Sequence, residues 1–253
     1  MKRVAVVSCH VERPLDDRSW MRFSSLQAKR SGGFRIAALM RPPDADAGED
    51  EQRWLERARA AAELGPLGLH THFGSAEQAR PAAPGPEHAA RVRREAEWME
   101  AKGLAPTLFC AGGWYMDEAL AETVADLGLV DCSATAFRPG YLAPGEPRLH
   151  VDAPARIDLP DGARLLELPS THSLGMAARA AVGRLGRNMV HLYFHDTDLL
   201  SARRRSALAA ALRVLGRRRR AIDLDELADA AADVAPVVSF DEVFAGRNAP
   251  SAQ

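Results

Sequence analysis

Val4-Ala5-Val6-Val7-Ser8-Cys9-His10-Val11-Glu12-Arg13-Pro14 opens the chain with a short apolar run that ends in a histidine and a carboxylate. A valine-rich run of this length reads as a buried strand. A dinucleotide-binding fold would place a glycine-rich phosphate loop directly after it, and none stands here. The pattern recurs along the chain. Gly68-Leu69-His70-Thr71-His72-Phe73-Gly74 closes a second run, and Met189-Val190-His191-Leu192-Tyr193-Phe194-His195 a third, while His172 follows Leu165-Leu166-Glu167-Leu168-Pro169. Five of the eight histidines therefore sit where strand-like runs end. An open sheet would spread at least some of them apart, whereas a barrel gathers the C-terminal ends of all its strands around one mouth.

Working outward, apolar runs at 3–10, 34–40, 67–72, 106–110, 129–133, 163–168 and 189–195 read as strands. Amphipathic stretches at about 16–31, 50–64, 87–103, 117–127, 174–185, 201–217 and 223–233 read as helices, several followed by glycine stops. Seven βα units predict an α/β barrel. No linker divides the chain, so residues 1–235 are expected to form one domain, with 236–253 a C-terminal extension that ends flexibly.

Composition narrows the functional classes. A net charge of −1 gives no global basic field for nucleic acid or an anionic membrane. The three cysteines, Cys9, Cys110 and Cys132, lie far apart in or beside apolar runs and read as reduced, buried thiols rather than a disulfide framework. No apolar stretch reaches membrane length, and the first strand begins too early for a signal peptide, so a cytoplasmic location is expected.

Residues two apart in a strand share a face, so His70 and His72 can converge on one point, as can His10 and Glu12. Two imidazoles and a carboxylate form a donor set for a catalytic divalent metal, zinc above all. The plainer alternative for the pair is two hydrogen-bonded histidines without a metal. Glu12 is expected as the third ligand, against a surface ion pair with Arg13 or Arg18. His10 is a fourth ligand or a base, which the sequence does not separate. His195, in His195-Asp196-Thr197-Asp198, is suited to general acid work if either aspartate supports it, although Asp198 equally suits a helix cap. His191, deeper on the same strand, reads as structural. Cys110 and Trp114, in Phe109-Cys110-Ala111-Gly112-Gly113-Trp114-Tyr115, are substrate-contact candidates, with buried packing as the alternative for each. Arg138 and His172 complete the substrate-binding set.

In order and spacing, these motifs resemble the polysaccharide deacetylase superfamily, the NodB-homology domain of carbohydrate esterase family four. The resemblance rests on His10-Val11-Glu12, the Gly-Leu-His-x-His stretch, Phe109 to Tyr115, Leu127-Gly128-Leu129-Val130-Asp131-Cys132-Ser133 and Tyr193-Phe194-His195-Asp196. It implies a distorted (β/α)7 barrel of the NodB deacetylase type and a divalent metal, usually zinc. It further implies removal of acetyl groups from N-acetylated sugars or glycoconjugate precursors. By that resemblance Glu12, His70 and His72 hold the metal and His195 is the acid. Three positions depart from the family pattern. His10 stands where the base Asp is usual, Gly74 where the second histidine is usual, and Cys110 at about the place of the arginine that supports the base. The losses agree with one another, because an arginine would have no carboxylate to pair with and would repel a protonated His10. A small-molecule sugar or glycoconjugate substrate is expected. The rival readings are an altered barrel that binds a sugar or protein without catalysis, and a metal hydrolase of a non-sugar amide.

Overall fold

The structure is a computed structural model and describes residues 3–75, 77–180 and 188–245. The strands are β1 (Val4–Val11), β2 (Ala37–Met40), β3 (Leu67–Thr71), β4 (Leu108–Ala111), β5 (Val130–Asp131), β6 (Ala155–Asp158), β7 (Arg164–Glu167), β8 (His172–Ser173), β9 (Met189–His195), β10 (Arg220–Ala221) and β11 (Val237–Ser239). The helices are α1 (Asp17–Lys29), α2 (Glu51–Leu64), α3 (Glu87–Ala101), α4 (Glu118–Asp126), α5 (Leu174–Ala180), α6 (Ala202–Arg218), α7 (Leu224–Ala232) and α8 (Phe240–Val243). Side chains of Asp16, Asp50, Asp117, Ser201 and Asp223 accept from the first turns of α1, α2, α4, α6 and α7, which sets where these helices begin. The part of the expected 174–185 helix beyond Ala180 lies outside the described residues.

Strands β5, β4, β3, β2, β1 and β9 run side by side, all parallel. Every residue of β1 is buried, as a strand flanked on both edges and covered on both faces requires. The segment Arg164–Ser173 joins the two ends of this run. Its first half, β7, pairs with β5, and Leu168 N and Ser170 N donate to Asp131 O and Ala134 O at 2.8 and 2.9 Å. Its second half pairs with β9, beginning where Thr171 N donates to His191 O at 3.0 Å. Seven strand segments thus form the distorted barrel expected from the sequence. The hydrogen bonding passes from β5 to β9 across the bend at Pro169 rather than along one straight strand.

Alternation along each strand divides the core. Ala5, Val7, Cys9 and Val11 of β1, with Leu67 and Leu69 of β3, pack outward under the helices. Val4 and Val6, Leu108 and Cys110, and Met189 and Tyr193 pack inward. The inward line of β3 begins at Gly68, where a Cβ would stand 2.4 Å from Leu39 Cδ2 and 2.8 Å from Leu108 Cβ, so only glycine lets the neighbouring strands close. Near the bend, Asp131 and Glu167 face each other in register, both fully buried. Burial first, then the neighbouring carboxylate, pushes the Glu167 carboxyl far up, and Glu167 shares its proton with Asp131. All three cysteines are free and buried.

Four strands, β6, β8, β10 and β11, fall outside the expected runs, and three of them carry only two or three residues, too few for a period to show in sequence. Residues 237–239 pair with β6 and Phe240 is 2 % exposed in the main core, so the start of the expected extension packs onto the barrel. Phe240→Ala should therefore cost about 3–5 kcal/mol. Chemical denaturation would read this as a lower midpoint at unchanged slope, and an unchanged midpoint would contradict the packing.

Candidate metal centre

The inward lines of four strands end together. On β1 the line runs Val4, Val6, Ser8, His10 to Glu12, on β3 from Gly68 through His70 to His72, on β4 it ends at Cys110, and on β9 it passes His191 and Tyr193 to His195. Parallel register sets His10 beside His195 and His70 beside Cys110. The ring centroids of His10 lie 4.8 Å from His70 and 5.2 Å from both His195 and Tyr193. These residues line a cavity of about 290 Å3 that Trp114, Tyr141 and Arg80 also wall.

Glu12 is the centre of charge. Its Oε1 lies 3.9 Å from His70 Nε2, 4.0 Å from His72 Nε2 and 3.5 Å from His195 Nε2. Burial pushes its carboxyl up, but hydrogen bonding by His70 and attraction to His195, His70 and His72 outweigh burial and bring it down to about 2. The surface ion pair weighed for Glu12 is not formed with Arg13, which pairs instead with Glu77 at 3.1 Å.

The tautomer of His70 follows from its partner. Nδ1 lies 2.8 Å from Cys110 O, and a carbonyl only accepts, so Nδ1 carries a proton and Nε2 is the only nitrogen the ring can offer to a metal. That Nε2 is buried with no hydrogen-bond partner. His72 is arranged alike, with Nδ1 3.3 Å from Ser75 O and Nε2 turned to Glu12. Burial first, then His70, takes the His72 ring down to about 4, so it is neutral at ordinary pH. Both Nε2 atoms face the same carboxylate, an arrangement in which a cation would be held between them. One donor atom from each of Glu12, His70 and His72 lies within 4.8 Å of the others. Donors on tetrahedral zinc stand about 3.4 Å apart, given zinc bonds of about 2.0–2.1 Å, so the two Glu12–imidazole contacts, at 3.9 and 4.0 Å, stand roughly half an ångström wider than a bound set. The residues fit a divalent metal.

His10 lies under this cluster, 3 % exposed, with its Nε2 3.7 Å from Cys110 Sγ. Burial, then the neighbouring imidazoles, holds its ring far below the usual histidine range. His195 is half-buried at the mouth. Its Nδ1 lies 3.9 Å from Asp198 Oδ2, while Asp198 also accepts from His195 N at 3.0 Å and pairs with Arg204. Asp198 thus joins both roles weighed for it, helix cap and histidine partner. Asp196 instead accepts from Arg13 N at 3.0 Å and from Thr197 N.

Of the proposed substrate contacts, Trp114 walls the cavity, edge-on to His10 and Tyr193, with a positive backbone φ of 61° that an L residue adopts at some cost. Cys110 is fully buried and does not line the cavity, so it takes the packing role weighed for it rather than a substrate contact. His172 lies outside it on β8, its Nδ1 2.8 Å from Thr171 Oγ1. Arg138 is exposed and does not line the cavity, whereas Tyr141, three residues later, does. Sequence reading passed over Tyr193, whose position two before His195 on one strand was the available signal. Arg80 and Tyr141 come from loops where no periodicity points inward.

The sequence matches no protein-family model and no curated protein. Among solved structures, a polysaccharide deacetylase from Bacillus cereus aligns over 88% of this chain and 94% of its own, with TM-score 0.51 and 11% identity. A GH57 branching enzyme from Thermococcus kodakaraensis aligns over 94% of this chain and 72% of its own, with TM-score 0.53 and 9% identity. The chain spans 38% of the length of a 4-alpha-glucanotransferase from Thermococcus litoralis, which covers 94% of it at TM-score 0.49 and 11% identity. The fold is therefore the deacetylase-type α/β barrel that the motifs imply. Among the described residues, no helix is long and apolar enough to cross a membrane.

His191 is structural, as its depth predicts: Nδ1 donates to Leu168 O at 3.2 Å and Nε2 accepts from Ser8 Oγ at 2.8 Å. Burial takes its ring down to about 4, against 6.5 in the unfolded chain. Between those values the unfolded state binds more protons, so this stabilisation is complete above pH 6.5 and lost as pH falls toward 4. From pH 7 to 5 the loss is about 2 kcal/mol, and His191→Gln should remove that part of the pH slope in denaturation titrations. An unchanged slope would contradict it.

Proposed function

We propose that this chain is a metal-dependent hydrolase that removes an acetyl group from an N-acetylated sugar or glycoconjugate precursor. The observation that carries this reading is the convergence of His70 Nε2 and His72 Nε2 on the Glu12 carboxylate, with the His70 tautomer set by Cys110 O. Glu12, His70 and His72 hold the metal in this reading, and imidazole with carboxylate donors favour zinc. Such an ion supplies Lewis-acid polarisation of the acyl carbonyl and activates water at neutral pH.

The other roles fall to the chain's own groups. Burial keeps His10 neutral, so its ring does not repel the cation, and in this reading it assists as base. His195 delivers a proton from Nε2 to the leaving amine, with Asp198 on its Nδ1 side supporting the charged ring. Trp114, Tyr141 and Tyr193 offer aromatic faces and a hydroxyl rim suited to a sugar ring. The likeness of fold to a polysaccharide deacetylase supports the same substrate class.

Purified protein is expected to hold one divalent ion per chain by elemental analysis, and a His70→Ala/His72→Ala double variant to hold none. Acetyl release should be lost with the metal across small N-acetyl sugars. Protein that takes up no divalent ion would overturn this reading in favour of a binding barrel, and release from unrelated N-acyl compounds alone would move the substrate outside the sugars. His195→Gln should lower kcat by about 10²–10⁴-fold while leaving the metal content unchanged.

A further inference from the structure

Below the Glu12 cluster lies a second set of donors. His10, His70 and Cys110 each offer one ligand atom within 4.8 Å of the others, and all three residues are buried. They come from the inward lines of β1, β3 and β4. The spacing is already that of a bound ion: His10 Nε2 and Cys110 Sγ are 3.7 Å apart. Zinc bonds of about 2.3 Å to sulfur and about 2.0–2.1 Å to nitrogen place such a pair about 3.6 Å apart in tetrahedral geometry. By that measure the inner pair is nearer to its bound spacing than the Glu12 contacts with His70 and His72, at 3.9 and 4.0 Å. No disulfide competes for the thiol, since all three cysteines are free.

We infer that the barrel has a second, inner metal position, made of His10, His70 and Cys110, that takes a thiophilic divalent ion of the zinc, cobalt or cadmium kind. One thiolate with two imidazoles suits such ions and disfavours magnesium or calcium, which take oxygen donors. Ion binding at this position displaces the Cys110 proton, so the thiolate–metal bond forms as a proton leaves to solvent. His70 has a single nitrogen with a free lone pair, because Nδ1–H is committed to Cys110 O. The inner and outer positions therefore share that nitrogen and exclude each other. A chain holds one ion, in either the Glu12 set or the Cys110 set.

The inner position is independent of the hydrolase reading, and cobalt(II) alone tests it. A Glu12→Gln/His72→Gln double variant breaks the outer set and keeps His10, His70 and Cys110. It is expected to bind one cobalt per chain with the intense near-ultraviolet charge-transfer band of a thiolate ligand, and a further Cys110→Ala change should abolish that band. Should the double variant fail to fold by circular dichroism, His72→Gln alone also breaks the outer set, and the same band is required of it. Absence of the band from the folded variant, or its persistence after Cys110→Ala, would overturn the inner position. Acetyl release plays no part in this readout. A failed hydrolase assay with the band present refutes only the proposed function, and cobalt bound without the band refutes only the inner position.

Discussion

Parallel pairing with strict alternation governs this molecule. Because β1, β3, β4 and β9 run the same way around the ring, their C-terminal ends share one rim, and because alternate residues face inward, every second side chain meets at its centre. A slip of one residue in β3 would send His70 and His72 under the helices and Leu69 into the cavity. Gly68 guards that register, since its neighbours leave no room for a Cβ on the inward side. Packing and function are therefore set by one geometric condition.

The cavity gathers imidazoles around a single carboxylate, and its charge state follows from burial. His10 and His72 are neutral because ionised rings would lose too much hydration there, while the surrounding imidazoles outweigh burial and keep Glu12 ionised. The carboxyl pair Asp131–Glu167 follows the same logic deeper down, where sharing a proton replaces ionising both groups.

The barrel class was legible in sequence because apolar runs alternate with amphipathic ones and because histidines closed runs far apart in the chain. Strand and helix positions follow closely: the run at 67–72 contains β3, and 50–64 contains α2. The same-face pairs His70 with His72 and His10 with Glu12 needed only the period of two. What could not be read was anything set by loops. Arg138 and Tyr141 lie three residues apart in a turn without periodicity, and the fold sends Tyr141 to the cavity. Nor could sequence choose between Asp196 and Asp198, because that choice depends on the 3-10 turn after β9, which points Asp198 back at His195. The extra short strands are products of tertiary pairing rather than of local pattern.

The bend at Pro169 makes the ring uneven. Elsewhere adjoining strands hold each other by regular ladders, but between β5 and β9 the circle is carried by single bonds through Leu168, Ser170 and Thr171. Breathing of the barrel is cheapest where the fewest bonds must break together. The ring is therefore expected to open first at this seam, two strands from β1, like a clasp, while the continuous ladders of β1, β2 and β3 hold the strand ends that bear His10, Glu12, His70 and His72 in place relative to one another.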